Sequence, residues 1–159
     1  AGFVYLPGGY PELYLAALSA NRQMLQSIRR YVESGGKLLA ECGGMMYLCD
    51  EIRDKNGYVY PMAGVLHQSA TMENMKLRLG YRTLLYNETR LKGHEFHYSR
   101  LVEQQNPLPS CAVAYTAKGV ETDTPLYHYK NVWAGYTHLY WADPVGNEWF
   151  TKFVIDGNT

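Results

Sequence analysis

The sequence predicts an α/β fold, in which a parallel sheet with crossover helices is followed by a strand-rich second half. Two observations lead to this prediction. Up to about residue 51, short apolar runs alternate with segments of helical spacing, an order typical of parallel sheets with crossover helices. Beyond about residue 58, several apolar runs follow one another with only polar turns between them, which favours antiparallel edge strands.

The composition indicates one globular domain over residues 1–159. A chain of 159 residues is long enough for one α/β domain and too short for two ordinary ones. Hydrophobic residues make up 47% and charged residues 19%, a balance that argues against disorder. No repeat or low-complexity tract interrupts the sequence.

Charge and cysteine usage exclude several classes of protein. Lysine plus arginine (15) equals aspartate plus glutamate (15), so we expect no nucleic-acid or anionic-membrane partner. No apolar run approaches the roughly 20 residues that span a bilayer. Cys42, Cys49 and Cys111 are odd in number and lack metal-like spacing, which disfavours a disulfide scaffold and a zinc ribbon. We therefore expect a reduced, cytoplasmic protein without a metal.

The first part of the chain contains two strands and three helices. An apolar strand over residues 1–6 runs into Pro7-Gly8-Gly9, and residues 11–19 form a short helix. Asn21 caps a longer helix, whose apolar stripe is formed by Met24, Leu25, Ile28, Tyr31 and Val32. A strand over residues 37–41, a turn at 42–44 and a helix over 45–51 follow.

The remaining elements are mainly strands. They are predicted over residues 58–60, 65–71, 77–86, 93–100, 113–117 and 132–141, with a closing helix over 148–155. Because the sequence opens in the middle of a strand without a polar lead-in, we expect it to be a C-terminal piece of a longer protein.

Cys42 is the candidate nucleophile. A side chain at a tight strand-to-helix turn is exposed at the carboxyl end of a sheet, and the flanking glycines tolerate the strained backbone. The N-terminus of the following helix favours the thiolate, and the N–H of Gly43 is placed to stabilise an oxyanion. From this turn alone, a small buried structural cysteine is an equal alternative.

Two further stretches of the sequence favour a catalytic role for Cys42. Gly8 and Gly9 end a neighbouring strand, so their N–H groups supply a second oxyanion donor at the same sheet edge. His138 lies within an aromatic strand, where a histidine is more often structural. Because the candidate thiol of Cys42 has no other partner in the sequence, however, His138 is the expected general base.

The segment over residues 93–99 also concentrates polar side chains. In a strand, Glu95 and His97 share one face, while His94, Phe96 and Tyr98 share the other. Only two residues separate its histidines, so a zinc-protease helix is excluded and a metal site is disfavoured. His67 and His128 are interpreted as surface residues.

Four segments in this order and spacing resemble the C-terminal glutamine amidotransferase domain of the cobyrinate a,c-diamide synthase family. They are Leu6-Pro7-Gly8-Gly9-Tyr10-Pro11-Glu12, Ala40-Glu41-Cys42-Gly43-Gly44-Met45-Met46-Tyr47-Leu48, Gly93-His94-Glu95-Phe96-His97-Tyr98-Ser99 and Tyr136-Thr137-His138-Leu139. The resemblance runs nearly from end to end of the chain. It implies a class I, flavodoxin-like fold with helices on both faces of a mostly parallel sheet.

The resemblance also implies a function. Cys42 matches the family nucleophile and His138 the histidine that activates it, so glutamine is the expected substrate. In this family a synthetase domain binds ATP and Mg²⁺ and uses the released ammonia to amidate the a and c side-chain carboxylates of cobyrinate, a tetrapyrrole acceptor. That domain is expected to be absent here, and no G-x-x-x-x-G-K-[ST] sequence occurs. The first strand and helix of the amidotransferase domain are expected to be absent as well, in agreement with the mid-strand opening.

Two positions depart from the wider class I pattern. Tyr140 stands where most such enzymes carry a glutamate two positions after the histidine, and Met46 stands where a glutamine is common. Glu95 or Glu41 could supply the orienting carboxylate, and a Cys–His dyad is an equal alternative.

Three other functions stay open from the sequence. The same chemistry could serve a sirohaem-type or nickel-sirohydrochlorin acceptor, because the absent domain chooses the acceptor. The chain could instead be a catalytically idle interaction domain. A protease-like cysteine enzyme shares the turn at Cys42, but such an enzyme does not account for residues 93–99.

Overall fold

The computed structural model describes residues 1–156 and confirms the α/β class. Its helices and strands, in chain order, are β1 (Val4–Leu6), α1 (Leu15–Ala20), α2 (Arg22–Glu33), β2 (Leu38–Glu41), α3 (Gly43–Leu48), β3 (Cys49–Arg53), β4 (Val59–Pro61), β5 (Leu66–Thr71), β6 (Arg78–Tyr86), β7 (Thr89–His97), β8 (Arg100–Leu101), β9 (Val113–Thr116), β10 (Glu121–Thr122), β11 (Leu126–Tyr129), β12 (Val132–Gly135), β13 (His138–Leu139) and α4 (Pro144–Trp149). A 3₁₀ turn at Pro11–Leu13 precedes α1, and a π-helical segment at Phe150–Ile155 follows α4.

The sheet that carries the candidate nucleophile has the order β1-β2-β12-β11. Strands β1, β2 and β12 are parallel, and β11 adds the antiparallel edge strand that the second half was expected to supply. All four residues of β2 are buried. Leu38 and Ala40 pack into one core with α2, whereas Leu39 packs into a second core with Trp149, so helices cover both faces.

The strand-rich half forms sheets of its own, in addition to the edge strand. A five-stranded antiparallel sheet has the order β10-β9-β6-β7-β13, and a four-stranded mixed sheet has the order β4-β3-β5-β8. The predicted strand over residues 132–141 breaks after Gly135. Its first part, β12, lies in the parallel sheet, while β13 pairs with β7 in the antiparallel sheet.

Other sequence predictions are confirmed or corrected at the level of single elements. The Asn21 side chain caps α2 by accepting a hydrogen bond from the N–H of Met24 at 3.2 Å, as predicted. The helix predicted over residues 45–51 is wrong beyond Leu48, because the next residues pair with β4 and β5. The sequence analysis missed β10 and β11.

The two histidines interpreted as surface residues differ in their surroundings. His67 is exposed and lies 3.5 Å from Asp50. His128 is half-buried and stacks on the indole of Trp133 with ring centroids 3.8 Å apart, so its interpretation as a surface residue was wrong. Within residues 1–156, no helix has the length and apolar character that a membrane crossing requires.

Candidate functional site

Cys42 lies on a strained turn between β2 and α3. Its backbone has φ 51° and ψ −110°, a left-handed conformation that few residues other than glycine adopt. The turn is held from both sides, since the Cys42 N–H donates to the Gly135 carbonyl at 2.8 Å and the Cys42 carbonyl accepts from Met46 N–H at 3.1 Å. The surrounding structure thus fixes a strained residue at the point where a nucleophile was predicted.

The glycines beside Cys42 permit a close approach of two backbone segments. A Cβ on Gly43 would lie 2.6 Å from the Gly9 carbonyl oxygen, and a Cβ on Gly44 would overlap the Leu6 carbonyl. The loop that follows β1 is therefore pressed against the start of α3. This packing brings Gly8, Gly9 and Gly43 to the same end of the sheet as Cys42, where the sequence placed them.

His138 reaches this site from the antiparallel sheet. It pairs with His94 across β13 and β7, and it is half-buried. A Cβ on Gly8 would overlap the His138 imidazole, so the glycine leaves room for the ring. Two different sheets thus contribute the two candidate reactive side chains.

The surroundings of His138 favour its protonated form. Hydrogen bonding with Cys42 and then contact with Glu41 raise the pKa of His138 to about 9, although burial acts in the opposite direction. An imidazolium beside a cysteine favours the thiolate, which is the reactive form of the side chain. His138 is therefore placed to carry a positive charge beside Cys42.

Glu41 is the carboxylate that lies beside His138. Its Oε2 is 3.5 Å from His138 Nδ1, an ion-pair distance, and it also accepts a hydrogen bond from Tyr5 Oη at 3.3 Å. Glu41 is buried, and within residues 1–156 its Oε1 has no hydrogen-bond partner. Of the two carboxylates that the sequence left open, the geometry therefore favours Glu41 as the partner of His138.

Glu95 is not placed to orient His138, which corrects that option. Its oxygens are taken by His97 Nε2 at 2.6 Å, Arg82 Nε at 2.7 Å and Thr124 Oγ1 at 2.7 Å. Burial raises the pKa of Glu95, but the hydrogen bonds from His97 and Thr124 and the nearby charges outweigh it and lower the pKa to about 2. Glu95 is a buried anion that ties β7 to its neighbours.

Residues 93–99 have the two faces that the sequence predicted. Glu95 and His97 are buried, and His97 stacks on Tyr136 with ring centroids 3.6 Å apart. On the other face, His94 stacks on His138 at 5.0 Å. Burial, and then the charge of His138, lower the pKa of His94, so it is the neutral member of the histidine pair.

Sequence reasoning missed four contacts of the site. His94 also stacks on Tyr140, the residue that replaces the usual glutamate, at 5.8 Å. The Ser99 hydroxyl lies 2.9 Å from Tyr136 Oη and donates to Met46 Sδ at 3.2 Å, so residues 93–99 are tied to α3. The backbone carbonyl of Phe96 accepts from Cys42 Sγ at 3.6 Å. The contact of Cys42 with a backbone carbonyl does not depend on the identity of residue 96, so the sequence gives no sign of it.

The part of the chain that the structure describes contains no group of three or more histidine, cysteine, aspartate or glutamate residues arranged to hold a metal ion. The two other cysteines lie outside the site. Burial raises the pKa of Cys49 to about 12 and that of Cys111 to about 11, so both are thiols at neutral pH.

Comparison with known families gives one match over most of the chain. Residues 1–145 match the model of the CobB/CobQ-like glutamine amidotransferase domain. A solved structure described as a glutamine amidotransferase superposes with a TM-score of 0.60, covers 96% of this chain and 79% of its own, and is 19% identical. At that identity the likeness supports the fold alone.

Similar proteins of described function are longer than this chain. The hydrogenobyrinate a,c-diamide synthase of Stutzerimonas stutzeri is 38% identical over 143 residues, which are 89% of this chain and 33% of the relative. The cobyrinate a,c-diamide synthase of Fusobacterium nucleatum is 38% identical over 145 residues, which are 86% of this chain and 31% of the relative. The chain thus spans about a third of the length of these relatives.

Proposed function

Because the chain belongs to the CobB/CobQ-like glutamine amidotransferase domain family, we propose that it is the glutaminase half of an ATP-dependent amidoligase. The observation that carries this proposal is the contact of His138 with both Cys42 and Glu41 at a strained strand-to-helix turn. A structural cysteine would need neither the strain nor the charged partner.

Hydrolysis begins with attack of the Cys42 thiolate on the side-chain carbonyl carbon of glutamine. The carbon–sulfur bond forms and the carbonyl oxygen becomes an oxyanion, which the N–H of Gly43 and one from Gly8 or Gly9 stabilise. When the oxyanion collapses, the carbon–nitrogen bond breaks and the nitrogen takes the proton of the His138 imidazolium. Ammonia leaves, and a γ-glutamyl thioester remains on Cys42.

Neutral His138 then acts as the base of the second half-reaction. It takes a proton from water as the water oxygen attacks the thioester carbon, and the thiolate leaves with its electron pair. Glutamate is released and His138 is again an imidazolium. His138 thus serves first as acid and then as base, in keeping with its raised pKa.

Glu41 replaces the missing triad carboxylate. In a Cys–His–carboxylate arrangement, the carboxylate orients the imidazole and stabilises its positive charge without taking its proton. Glu41 contacts His138 through Nδ1, which leaves the other ring nitrogen for Cys42 and the substrate. We assign no catalytic role to Glu95.

The ammonia is used elsewhere in the longer enzyme. A synthetase domain that binds ATP and Mg²⁺ would activate a carboxylate as an acyl phosphate, which ammonia attacks to give the amide. The names of the Stutzerimonas and Fusobacterium relatives support the a and c carboxylates of a cobyrinate-type tetrapyrrole as the acceptor. A confined passage between the two sites would keep ammonia from being protonated and lost.

Ammonia release from glutamine tests the glutaminase function directly. We expect release by the unmodified chain and a loss of at least 100-fold in Cys42→Ser. Cys111→Ser is the matched control, because this half-buried thiol packs against the second core rather than at the turn between β2 and α3. Equal release by the unmodified chain and Cys42→Ser, or release only by variants that retain Cys111, would overturn the proposal.

A further inference from the structure

The edge of β7 that faces Cys42 carries a backbone carbonyl, that of Phe96, which has no role in the proposed hydrolysis steps. Tyr140 N–H donates to the Lys92 carbonyl at 2.9 Å, so Lys92 directs its carbonyl toward β13. Residues two apart in a strand direct their backbone groups to the same edge, which places the Phe96 carbonyl on that edge too. The pairing with β13 extends no further than His94, so among the described residues this carbonyl has no partner in the ladder.

Among residues 1–156, the Phe96 carbonyl has a hydrogen-bond donor only while Cys42 keeps its proton. Its acceptor contact is with Cys42 Sγ at 3.6 Å. Once the proton has moved to His138, the thiolate has nothing to donate, and two electron-rich atoms face each other at that distance. Loss of a hydrogen-bond partner costs free energy, so a donor that arrives with the substrate at this position is stabilising.

We propose that the Phe96 carbonyl oxygen accepts a hydrogen bond from the N–H of the scissile carboxamide and thereby selects a primary amide over an ester. This inference rests on the proposed glutaminase function. The carboxamide nitrogen is bonded to the carbon that Sγ attacks, so it must lie within a few ångströms of Sγ, which is the neighbourhood that the Phe96 carbonyl occupies. An ester oxygen has no proton to offer there, and its lone pairs would oppose those of the carbonyl.

The same hydrogen bond favours departure of ammonia. In the tetrahedral intermediate the nitrogen becomes pyramidal and gains a basic lone pair. With one N–H held by the Phe96 carbonyl, rotation about the carbon–nitrogen bond is restricted and the lone pair is directed toward the proton on His138. The proton is transferred, the carbon–nitrogen bond breaks and its electron pair leaves with ammonia.

The opposite face of β7 holds this carbonyl in place. Glu95 and His97, on either side of Phe96, are both buried and are bonded to each other at 2.6 Å. Glu95 is further bound by Arg82 and Thr124. The Phe96 side chain is partly exposed, so the position of its carbonyl depends mainly on these two buried neighbours. Glu95 is therefore a positioning residue in this proposal.

Replacing the Phe96–His97 amide with an ester tests the inference, because an ester carbonyl is a weaker acceptor and the side chains are unchanged. The measurement is kcat/KM for glutamine and for the γ-methyl ester of glutamate. We expect the value for glutamine to fall roughly fivefold or more, as for loss of one hydrogen bond, and the value for the ester to stay within about twofold. The same replacement between His94 and Glu95 is the matched control. It should leave the ratio of the glutamine value to the ester value unchanged.

A second variant covers the case in which the backbone replacement prevents folding. Glu95→Gln loosens the anchor of β7 and should also lower the ratio of the glutamine value to the ester value. A purely structural role of the strand would lower both values alike, so an unchanged ratio in the folded variants would overturn the inference. If the unmodified chain hydrolyses neither substrate through Cys42, the proposed function fails first and the inference fails with it.

Discussion

The carboxylate of Glu41 lies 3.5 Å from Nδ1 of His138, although Glu41 directly precedes Cys42 in the sequence. The last residue of β2 thus supplies the partner of the histidine, and the strained turn directs the next residue toward the same imidazole. The usual position, two residues after the histidine, is filled by Tyr140, which contacts the His94 ring. The carboxylate that contacts His138 thus lies on the strand that leads to Cys42.

Glu41→Gln tests the proposal that Glu41 replaces the missing triad carboxylate. The amide can still accept a hydrogen bond but carries no charge, so the imidazolium loses its stabilising anion. We expect kcat for glutamine to fall roughly 10- to 100-fold and the apparent pKa of His138 to fall below about 9. Glu51→Gln is the matched control, since Glu51 lies on β3 and pairs with Arg53. Wild-type kcat with an unchanged pH profile would contradict the assignment.

The raised pKa of His138 predicts that glutamine turnover declines at high pH. The imidazolium is present below about pH 9 and is lost as the pH rises through that value, so glutamine turnover should decline there. Alkylation of Cys42 by iodoacetamide needs no proton donor and should not decline over the same range. If glutamine turnover and alkylation of Cys42 decline in parallel, the loss of turnover at high pH does not come from the acid role of His138.

Gly8→Ala tests the space that His138 occupies. The added Cβ would overlap the imidazole, so the ring must move away from Cys42. We expect kcat to fall at least 100-fold with little change in the thermal midpoint, because the ring is only half-buried. Gly2→Ala is the matched control, since its Cβ would have no atom within 4 Å. Full activity of Gly8→Ala would show that His138 does not act from this position.

The depressed pKa of Glu95 predicts acid sensitivity of the fold. A carboxylate whose pKa is lowered to about 2 stabilises the native state above its ordinary pKa and loses that contribution as the pH falls toward 2. Protonation of Glu95 should lower the free energy of unfolding by about 2 kcal/mol between pH 5 and pH 3. Urea titrations over this range should show a shallower drop for Glu95→Gln, while exposed Glu121→Gln should behave like the unmodified chain.

Helix α2 and the turn at Cys42 could be predicted because local chemistry determines both. Asn21 supplies the cap, and Leu25 and Val32 of the predicted apolar stripe are buried, although Met24 is exposed. At Cys42, two glycines after a buried strand permit a tight turn into a helix. The sequence therefore predicted Cys42 as the candidate nucleophile and, from the order of motifs, His138 as its partner, and the structure brings both residues to one site.

The roles of Glu95 and Glu41 could not be separated in this way. Strand alternation correctly placed Glu95 and His97 on one face, but it cannot say that Arg82 and Thr124 face them from other strands. The break after Gly135, which sends His138 into a second sheet, is likewise decided by long-range pairing. These features depend on contacts between residues that are far apart in the chain.

Trapping of the covalent intermediate tests the central claim most directly. The chain is mixed with glutamine, quenched in acid within the first turnover and digested, and the cysteine peptides are analysed by mass spectrometry. The account predicts a γ-glutamyl thioester on the peptide that contains Cys42 and none on the peptides of Cys49 or Cys111. Release of ammonia without any adduct on Cys42, or an adduct on another cysteine, would contradict it.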